Sequence, residues 1–178
     1  MAVLDMLRAV YIREATQDDW PQIHSFFVAI VEAGESYAYP EGLTPEETAA
    51  LWLATPPGRT VVAVDGDTVL GTATMGPNRP GRGAHIATAS FMVAPPASGQ
   101  GVGRALGEHV IEWARDAGYS GIQFNAVVET NIAAVRLWQS LGFEVLATVP
   151  GAFNHPNHGY VGLHVMFLPL PSRTGDVT

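Results

Sequence analysis

Three glycines at alternate positions, Gly99, Gly101 and Gly103, separate a β-type run from a helix-type run. Glycine carries no β-carbon, so a ligand can approach the backbone closely at these positions. The unpaired amides in the first turn of the following helix point at such a ligand, and the helix dipole favours an anion there. This pattern predicts a binding site for phosphate or pyrophosphate.

Two familiar nucleotide-binding patterns do not match this loop. A Walker loop continues with Gly-Lys and Ser or Thr, whereas Arg104 and Ala105 follow Gly103. The dinucleotide fingerprint requires a further glycine three positions after Gly103, and Leu106 stands there. The remaining alternative is an ordinary tight turn before a helix. Three alternating glycines after a strand favour phosphate binding over that alternative.

The same segment resembles the acetyl-coenzyme A loop of the GCN5-related N-acetyltransferase (GNAT) superfamily. In that family a strand ends in Val-x-Pro, and a loop of the form Arg/Gln-x-x-Gly-x-Gly/Ala follows. Val93-Ala94-Pro95 matches the strand end and Gly101-Val102-Gly103 matches the loop, while Ser98 departs from the family's Arg or Gln. A second block, residues 131–143, is similar to the family's Asn-x-x-Ala-x-x-Leu-Tyr-x-x-x-Gly-Phe, with Trp138 at the tyrosine position.

The order of the predicted elements agrees with this resemblance from about residue 10 to residue 168. Apolar runs of strand length alternate with amphipathic runs of helix length, which indicates a mixed sheet with helices on both faces. The resemblance implies an α/β (α+β) fold whose mixed, mostly antiparallel central sheet has about seven strands and is splayed between the fourth and fifth. We predict a single domain over residues 1–178, with residues 169–178 as a frayed tail.

Turn and cap residues predict several element boundaries. Asp65-Gly66-Asp67 indicates a hairpin, because glycine supplies the positive φ that such a turn needs. Thr44 and Asn131 are expected to cap helices, and so is Asp18 or Asp19. The last two strands are predicted over residues 144–149 and 160–168, with a turn that includes His155 between them.

The resemblance implies that acetyl-coenzyme A binds in the gap between the fourth and fifth strands. Backbone groups of the fourth strand would pair with the pantetheine arm, and the loop amides would hold the pyrophosphate. Asn131 would contact the arm as well as cap its helix, and Ala134 would be small because the coenzyme passes close to it. The implied coenzyme contacts are Phe91, Met92, Val93, Gln100, Gly101, Val102, Gly103, Arg104, Asn131, Ala134 and Trp138.

The implied reaction is direct attack of a neutral amine on the thioester, which requires positioning of the two reactants and removal of a proton. Trp138 replaces the tyrosine that protonates the thiolate in many relatives, and packing is the favoured role for its indole. No Asp or Glu lies in the fourth strand. The general acid and base are therefore unassigned. The candidate side chains are His155, His158, Glu35 and Tyr160, and water or no general acid at all are the alternatives.

Candidate acceptor contacts lie where the family recognises its acceptor and on the strand that borders the splay. They are Glu32, Tyr37 and Asn125. His155 and His158 have a spacing that occurs in metal sites, but they lie in a predicted turn with no Cys or nearby carboxylate to complete a ligand set. No metal is therefore predicted.

Composition limits the partners and the compartment. Nine Lys and Arg against 17 Asp and Glu give a net charge of -8, which disfavours nucleic acid and favours a cationic acceptor. The chain has no cysteine, so a disulfide framework, a thiolate zinc site and a cysteine nucleophile are excluded. No apolar run reaches the ~18–20 residues of a membrane helix, and residues 1–8 do not resemble a secretory signal. A cytoplasmic protein without a membrane partner is expected.

These observations predict an acetyl-coenzyme A-dependent N-acetyltransferase that acts on a primary amine of a small molecule or peptide. Another acyl donor or an alcohol acceptor is an alternative within the same class. A catalytically weak domain that binds coenzyme A as a sensor or scaffold is a second alternative, and a protein-binding module with a vestigial loop is a third. A homodimer is left open.

Overall fold

The structure is a computed structural model, and it describes residues 10–171 of the 178-residue chain. Seven strands and four α-helices are formed by these residues, and short 3₁₀ turns precede α1, β4 and α3. The bounds of the elements are β1 Tyr11–Glu14, α1 Trp20–Ala33, α2 Pro45–Trp52, β2 Arg59–Asp65, β3 Thr68–Pro77, β4 Ile86–Val93, α3 Val102–Asp116, β5 Gly121–Val128, α4 Ile132–Ser140, β6 Glu144–His155 and β7 Gly159–Pro169.

The strands form one sheet in the order β1-β2-β3-β4-β5-β7-β6. Only β4 and β5 are parallel neighbours, and their ladder contains two residue pairs, Ile86 with Gly121 and Ala87 with Ile122. Beyond Ala87 the two strands diverge. The mixed, mostly antiparallel sheet and the splay between its fourth and fifth strands are thus confirmed.

Strand β2 explains why helices cover both faces of the sheet. Successive residues of a strand face opposite sides, and both sides of β2 are apolar. Val62 and Val64 pack with α1 and α2, whereas Val61 and Ala63 pack on the side of α3 and α4. Burying one such side chain stabilises the fold by about 1.5–3 kcal/mol. The two cores fix the helices on which the cleft depends.

Two of the predicted helix caps are present. The Thr44 hydroxyl accepts a hydrogen bond of 3.2 Å from the Glu47 N–H and opens α2. The Asn131 amide oxygen accepts one of 3.2 Å from the Ala134 N–H and opens α4. Each side chain satisfies an amide that has no partner within its helix. Asn131 is thereby fixed beside the end of β5.

Asp19 does not cap α1 with its side chain, in contrast to the prediction. Its carboxylate instead accepts two hydrogen bonds from the Arg13 guanidinium, at 2.7 and 2.8 Å, and one of 2.7 Å from the Thr16 N–H. The bonds from Arg13, with help from Thr16, lower the pKa of Asp19 to about 2. The ion pair ties β1 to the start of α1.

The last two strands are longer than predicted. β6 runs on to His155 because its pairing with β7 shifts twice, between Val145 and Ala147 and between Val149 and Phe153. Such bulges add residues to one strand and bend it. The sequence reads as a turn at this point because Pro150 and Gly151 interrupt the apolar pattern.

The predicted tail begins too early. β7 continues through Pro169, and Leu170 is 5% exposed, with its N–H bonded to the Ser120 C=O at 2.9 Å. Residues 172–178 of that predicted tail, and the N-terminal segment considered as a signal, lie outside the described residues. Within residues 10–171, no helix combines the length and apolar character needed to cross a bilayer.

Candidate functional site

A cavity of about 520 Å³ opens where β4 and β5 part. Its walls come from these two strands, from the loop after α1, from α4 and from β6 and β7. It brings together eight residues predicted for the site: Tyr37, Phe91, Met92, Val93, Asn125, Asn131, Ala134 and Trp138. Among the described residues that line it, none is Asp, Glu, His, Lys or Arg.

Hydrogen bonds at both ends of β4 fix the direction of its backbone groups. The Asn78 N–H bonds to the Ile86 C=O, and the Ala94 N–H bonds to the Leu70 C=O, both at 2.8 Å. In an antiparallel pair the backbone groups of alternate residues point to the same neighbour. The even-numbered residues of β4 therefore direct their N–H and C=O groups to β3, and the odd-numbered residues direct theirs to β5.

Beyond Ala87 this alternation leaves backbone groups facing the cleft. Ala89, Phe91 and Val93 present their N–H and C=O groups on the side where β5 has moved away. Met92 pairs with Thr72 of β3, so it contributes its side chain rather than its backbone to the cleft. Ala89 was not among the predicted residues, although the two-residue period of the strand, counted from Phe91, would have found it.

Phe91 already has a partner. The Tyr37 hydroxyl accepts a hydrogen bond of 2.9 Å from the Phe91 N–H and donates one of 2.5 Å to the Phe91 C=O. The Tyr37 ring stacks on Tyr39 with centroids 5.6 Å apart and meets Trp52 edge-on at 6.2 Å. Burial raises the pKa of Tyr37 well above its usual value, so the hydroxyl stays protonated and able to donate.

The glycine loop shapes the N-terminus of α3. Gly101 has a φ of +82°, a left-handed conformation, and its C=O accepts the first intrahelical bond, from the Ala105 N–H at 3.0 Å. The N–H groups of Val102, Gly103 and Arg104 precede that bond, and no acceptor for them is found among residues 10–171. Three amides at a positive helix end form an arrangement that binds anions.

The polar side chains beside these amides are tied to neighbouring elements. The Gln100 N–H bonds to the Ala97 C=O at 3.4 Å, so it is less available to a ligand than the three helical amides. The Arg104 guanidinium donates to the Ser140 hydroxyl at 2.6 Å and lies 3.5 Å from Glu108. Arg104 therefore joins α3 to α4 and places a positive charge at the loop.

Trp138 forms the aromatic floor of the cleft. It is 6% exposed, and its ring lies 4.6 Å from Phe91 and 5.0 Å from Phe124 between centroids. A β-carbon on Gly107 would come within 2.9 Å of the indole, so α3 must carry glycine where the ring packs. No hydrogen bond of the indole N–H is found in the described part of the chain. The environment is that of a packing residue.

The opposite end of the cleft is a rim formed by the loop after α1 and the β6–β7 turn. A β-carbon on Gly34, which ends α1, would lie 3.6 Å from Pro156 in that turn. Phe153 lines the cavity, and the His155 ring follows it at 6.5 Å. The His155 Nδ1 accepts a hydrogen bond of 3.1 Å from the Asn157 N–H, so the neutral ring carries its proton on Nε2. Its one lone pair is thus engaged.

Neither His155 nor the other predicted rim residues line the cavity. Glu32, Glu35 and His158 are exposed, and Tyr160 is 78% exposed. Asn125 does line the cavity, but its side chain already bonds to the side chains of neighbouring residues, at 2.7 Å from Asn78 and 2.9 Å from Gln123. No group of three or more His, Asp and Glu suited to a metal ion occurs among residues 10–171.

Sequence comparison places this cleft among known proteins. The family model described as the Acetyltransferase (GNAT) family matches residues 11–143. The N-acetyltransferase aca1 of Schizosaccharomyces pombe is 34% identical over 105 residues, which are 58% of this chain and 50% of that protein. Protein SPT10 of Saccharomyces cerevisiae is 34% identical over 83 residues, 47% of this chain and 13% of that protein. The chain thus spans half the length of the first relative and a small part of the second.

Solved structures agree with this assignment along most of the chain. A GCN5-related N-acetyltransferase from Kribbella flavida is 61% identical with a TM-score of 0.89, over 91% of this chain and 98% of that one. The putative acetyltransferase YncA from Salmonella typhimurium, solved with acetyl-coenzyme A, is 25% identical with a TM-score of 0.81, over 96% and 99%. The matched residues 11–143 hold both the glycine loop and the block that begins at Asn131. The predicted resemblance is confirmed, and the chain belongs to the acetyltransferase (GNAT) family.

Proposed function

We propose that the protein transfers the acetyl group of acetyl-coenzyme A directly to a primary amine of a small molecule or peptide. The observation that carries this proposal is the open cleft between β4 and β5, with unpaired strand backbone along one wall and the amides of α3 beside its end. Membership of the acetyltransferase family and the acetyl-coenzyme A bound to YncA support the same donor.

In this proposal the coenzyme is held mainly by backbone groups. The N–H groups of Val102, Gly103 and Arg104 would bind the pyrophosphate. The backbone groups of Ala89 and Val93 would pair with the amides of the pantetheine arm, as a neighbouring strand does. Binding by backbone explains how Ser98 can stand where the family prefers a longer polar side chain.

The reaction follows from bringing the amine to the thioester. The amine nitrogen attacks the carbonyl carbon, so that a C–N bond forms and the C–S bond breaks, and the thiolate leaves and takes a proton from water. The amine loses a proton to water, since the titratable side chains found in the cavity lining are Tyr37 and Tyr39. Burial raises the pKa of both tyrosines, so neither is a base near neutral pH. The protein contributes the positioning of the two reactants, and positioning alone can supply much of the lowering of the activation barrier in such reactions.

The acceptor would enter past the rim formed by the loop after α1 and the β6–β7 turn. Aromatic rings and hydroxyl groups line this end, among them Tyr39, Phe153 and Ser36. His155 would act on the acceptor as a hydrogen-bond donor through Nε2, because its Nδ1 already accepts a hydrogen bond from Asn157. The rim therefore suits an amine on a partly apolar body.

The test is calorimetric titration with acetyl-coenzyme A, followed by thiol release against a mixed panel of amines. Binding in the micromolar range with amine-dependent thiol release would support the proposal. A reaction without amine measures hydrolysis and serves as the control. Binding with no release on any amine would favour the sensor or scaffold role, and absence of binding would refute both.

A further inference from the structure

We propose that Tyr37 is a positioning residue that holds the coenzyme strand β4 open through the backbone of Phe91. The inference rests on the proposed function of the cleft and assigns one residue to its preparation. Tyr37 comes from the loop after α1, on the acceptor side, yet its hydroxyl reaches the edge of β4 that faces the coenzyme.

The Tyr37 hydroxyl supplies the hydrogen bonds that a neighbouring strand would otherwise make with Phe91. The β4–β5 ladder ends at Ala87, so the N–H and C=O of Phe91 face a gap that β5 does not fill. A buried backbone group without a partner is unfavourable, because it loses its hydrogen bonds to water and gains none in the protein. A hydroxyl both accepts and donates, and the Tyr37 oxygen therefore satisfies both groups of Phe91 at once.

The core fixes where this hydroxyl sits. The Tyr37 ring packs between Tyr39 and Trp52. Trp52 is fully buried, and its indole N–H donates to the Thr72 hydroxyl at 3.1 Å. Thr72 lies on β3 and pairs with Met92, next to Phe91. The hydroxyl is thus held by side chains that are anchored on the strand beside β4, independently of any ligand.

The consequence is a cleft that is formed before the coenzyme binds. Because Tyr37 satisfies the N–H and C=O of Phe91, β4 gains no hydrogen bonds at Phe91 by closing onto β5. The backbone N–H and C=O groups of Ala89 and Val93, on either side, stay available to a ligand. A site that needs no rearrangement binds more tightly, because the cost of ordering has already been met.

The experiment compares Tyr37→Phe with Tyr39→Phe. Both changes remove one hydroxyl from the same stacked pair, and no hydrogen bond of the Tyr39 hydroxyl is found among the described residues. For Tyr37→Phe we expect the Kd of acetyl-coenzyme A to rise about 10-fold, which is about 1.4 kcal/mol. Amide hydrogen exchange at Phe91 should be faster, and the KM of the amine should change less than twofold. Tyr39→Phe should match the wild type within twofold in the Kd of acetyl-coenzyme A and in the rate of amide exchange at Phe91.

Two results would overturn the proposal. If Tyr37→Phe lowers the melting temperature but leaves the Kd of acetyl-coenzyme A unchanged, Tyr37 only stabilises the fold. If the Kd falls, the hydroxyl competes with the coenzyme instead of preparing its strand. Failure of the proposed function is a separate result, because it appears in the wild type as absent amine-dependent thiol release. Binding and hydrogen exchange test Tyr37 without turnover.

Discussion

The two ends of the cleft are built from different parts of the chain. The coenzyme end, which lies between the open edge of β4 and the N-terminus of α3, would in the proposed function use backbone groups of these two elements, together with small residues such as Gly101 and Ala134. The acceptor end, which is the rim between the loop after α1 and the β6–β7 turn, would in the proposed function use the side chains of Tyr39, Phe153 and His155. These residues come from a loop and a hairpin more than 100 residues apart. The shape of the coenzyme end is set by local backbone geometry, whereas the shape of the acceptor end is set by the packing of side chains from separate elements.

This difference teaches where function tolerates change. A coenzyme site built from backbone groups, as proposed, would depend on the conformation of its loop and be insensitive to most side chains, which would explain how Ser98 and Trp138 depart from the family pattern. A rim made of side chains can recognise a new acceptor after a few substitutions. Variants at the two ends should therefore separate coenzyme binding from acceptor use.

The largest effect is expected from Trp138, which supports the coenzyme end. Trp138→Ala empties the space between Phe91, Phe124 and α3, and should lower the free energy of unfolding by about 3–5 kcal/mol. Trp138→Phe keeps an aromatic ring and removes the indole N–H, and should change kcat less than threefold. Chemical denaturation and steady-state kinetics measure these effects.

Trp113→Phe is the matched control. The Trp113 ring packs on Tyr119, with the ring centroids 5.1 Å apart, and Trp113 does not line the cavity. A loss of ~100-fold in kcat for Trp138→Phe alone, the scale of a lost acid–base group, would contradict the packing role. The coenzyme end would then depend on a side chain.

The next effect tests whether the loop conformation carries coenzyme binding. Gly101→Ala forces alanine into a left-handed backbone at a cost of roughly 1–2 kcal/mol, and relief of that strain should turn the helix amides away from the phosphates. Calorimetry should show acetyl-coenzyme A affinity falling about 10-fold, or about 1.4 kcal/mol.

Gly66→Ala is the control, because Gly66 also has a positive φ, +58°, and also has open space where a β-carbon would lie. It should lose similar stability in the β2–β3 hairpin and keep full coenzyme affinity. Equal affinity losses in the two variants would mean that general destabilisation explains the result.

A smaller effect concerns the Arg13–Asp19 ion pair, which holds the start of α1. This helix leads into the loop that forms part of the rim. The pKa of Asp19 is about 2, below its ordinary 3.8, so its charge stabilises the folded state above pH 4 and that gain is lost as the pH falls to 2. Asp19→Asn should cost about 1–2 kcal/mol at pH 7, and the difference from the wild type should disappear near pH 2.

Urea denaturation at several pH values measures this dependence. Asp18→Asn serves as the control, because Asp18 is exposed beside the same turn. A difference between Asp19→Asn and the wild type that persists unchanged at pH 2 would show that the ion pair with Arg13 is not its source.

The smallest effect is expected at the rim carboxylates. Glu35 is exposed and does not line the cavity, so Glu35→Gln should change the amine KM less than twofold, and exposed Glu32→Gln on α1 should behave in the same way. Steady-state kinetics with a cationic amine provide the measurement. A 10-fold rise in KM for Glu35→Gln alone would show that this carboxylate binds the acceptor.

Prediction from sequence succeeded where neighbours in the chain are neighbours in space. Gly66, Thr44 and Asn131 act within a few residues of themselves, and their turn and caps are confirmed. It failed where a residue of another element decides, as at Asp19, whose carboxylate accepts its hydrogen bonds from Arg13 of β1 instead of capping α1. The predicted end of β6 was also wrong, because residues whose sequence resembles a turn pair with β7 as far as His155.

The sequence by itself determined the family, the central sheet and the loop that begins α3, because strand period, glycine spacing and cap residues are local properties of the chain. The tertiary structure decided which backbone groups of β4 are open, since Tyr37 reaches Phe91 across 54 positions in the sequence. It also decided that Glu35 and Tyr160 lie outside the cavity and that the lone pair of His155 is engaged. Such contacts depend on where separate elements meet, and no local pattern records them.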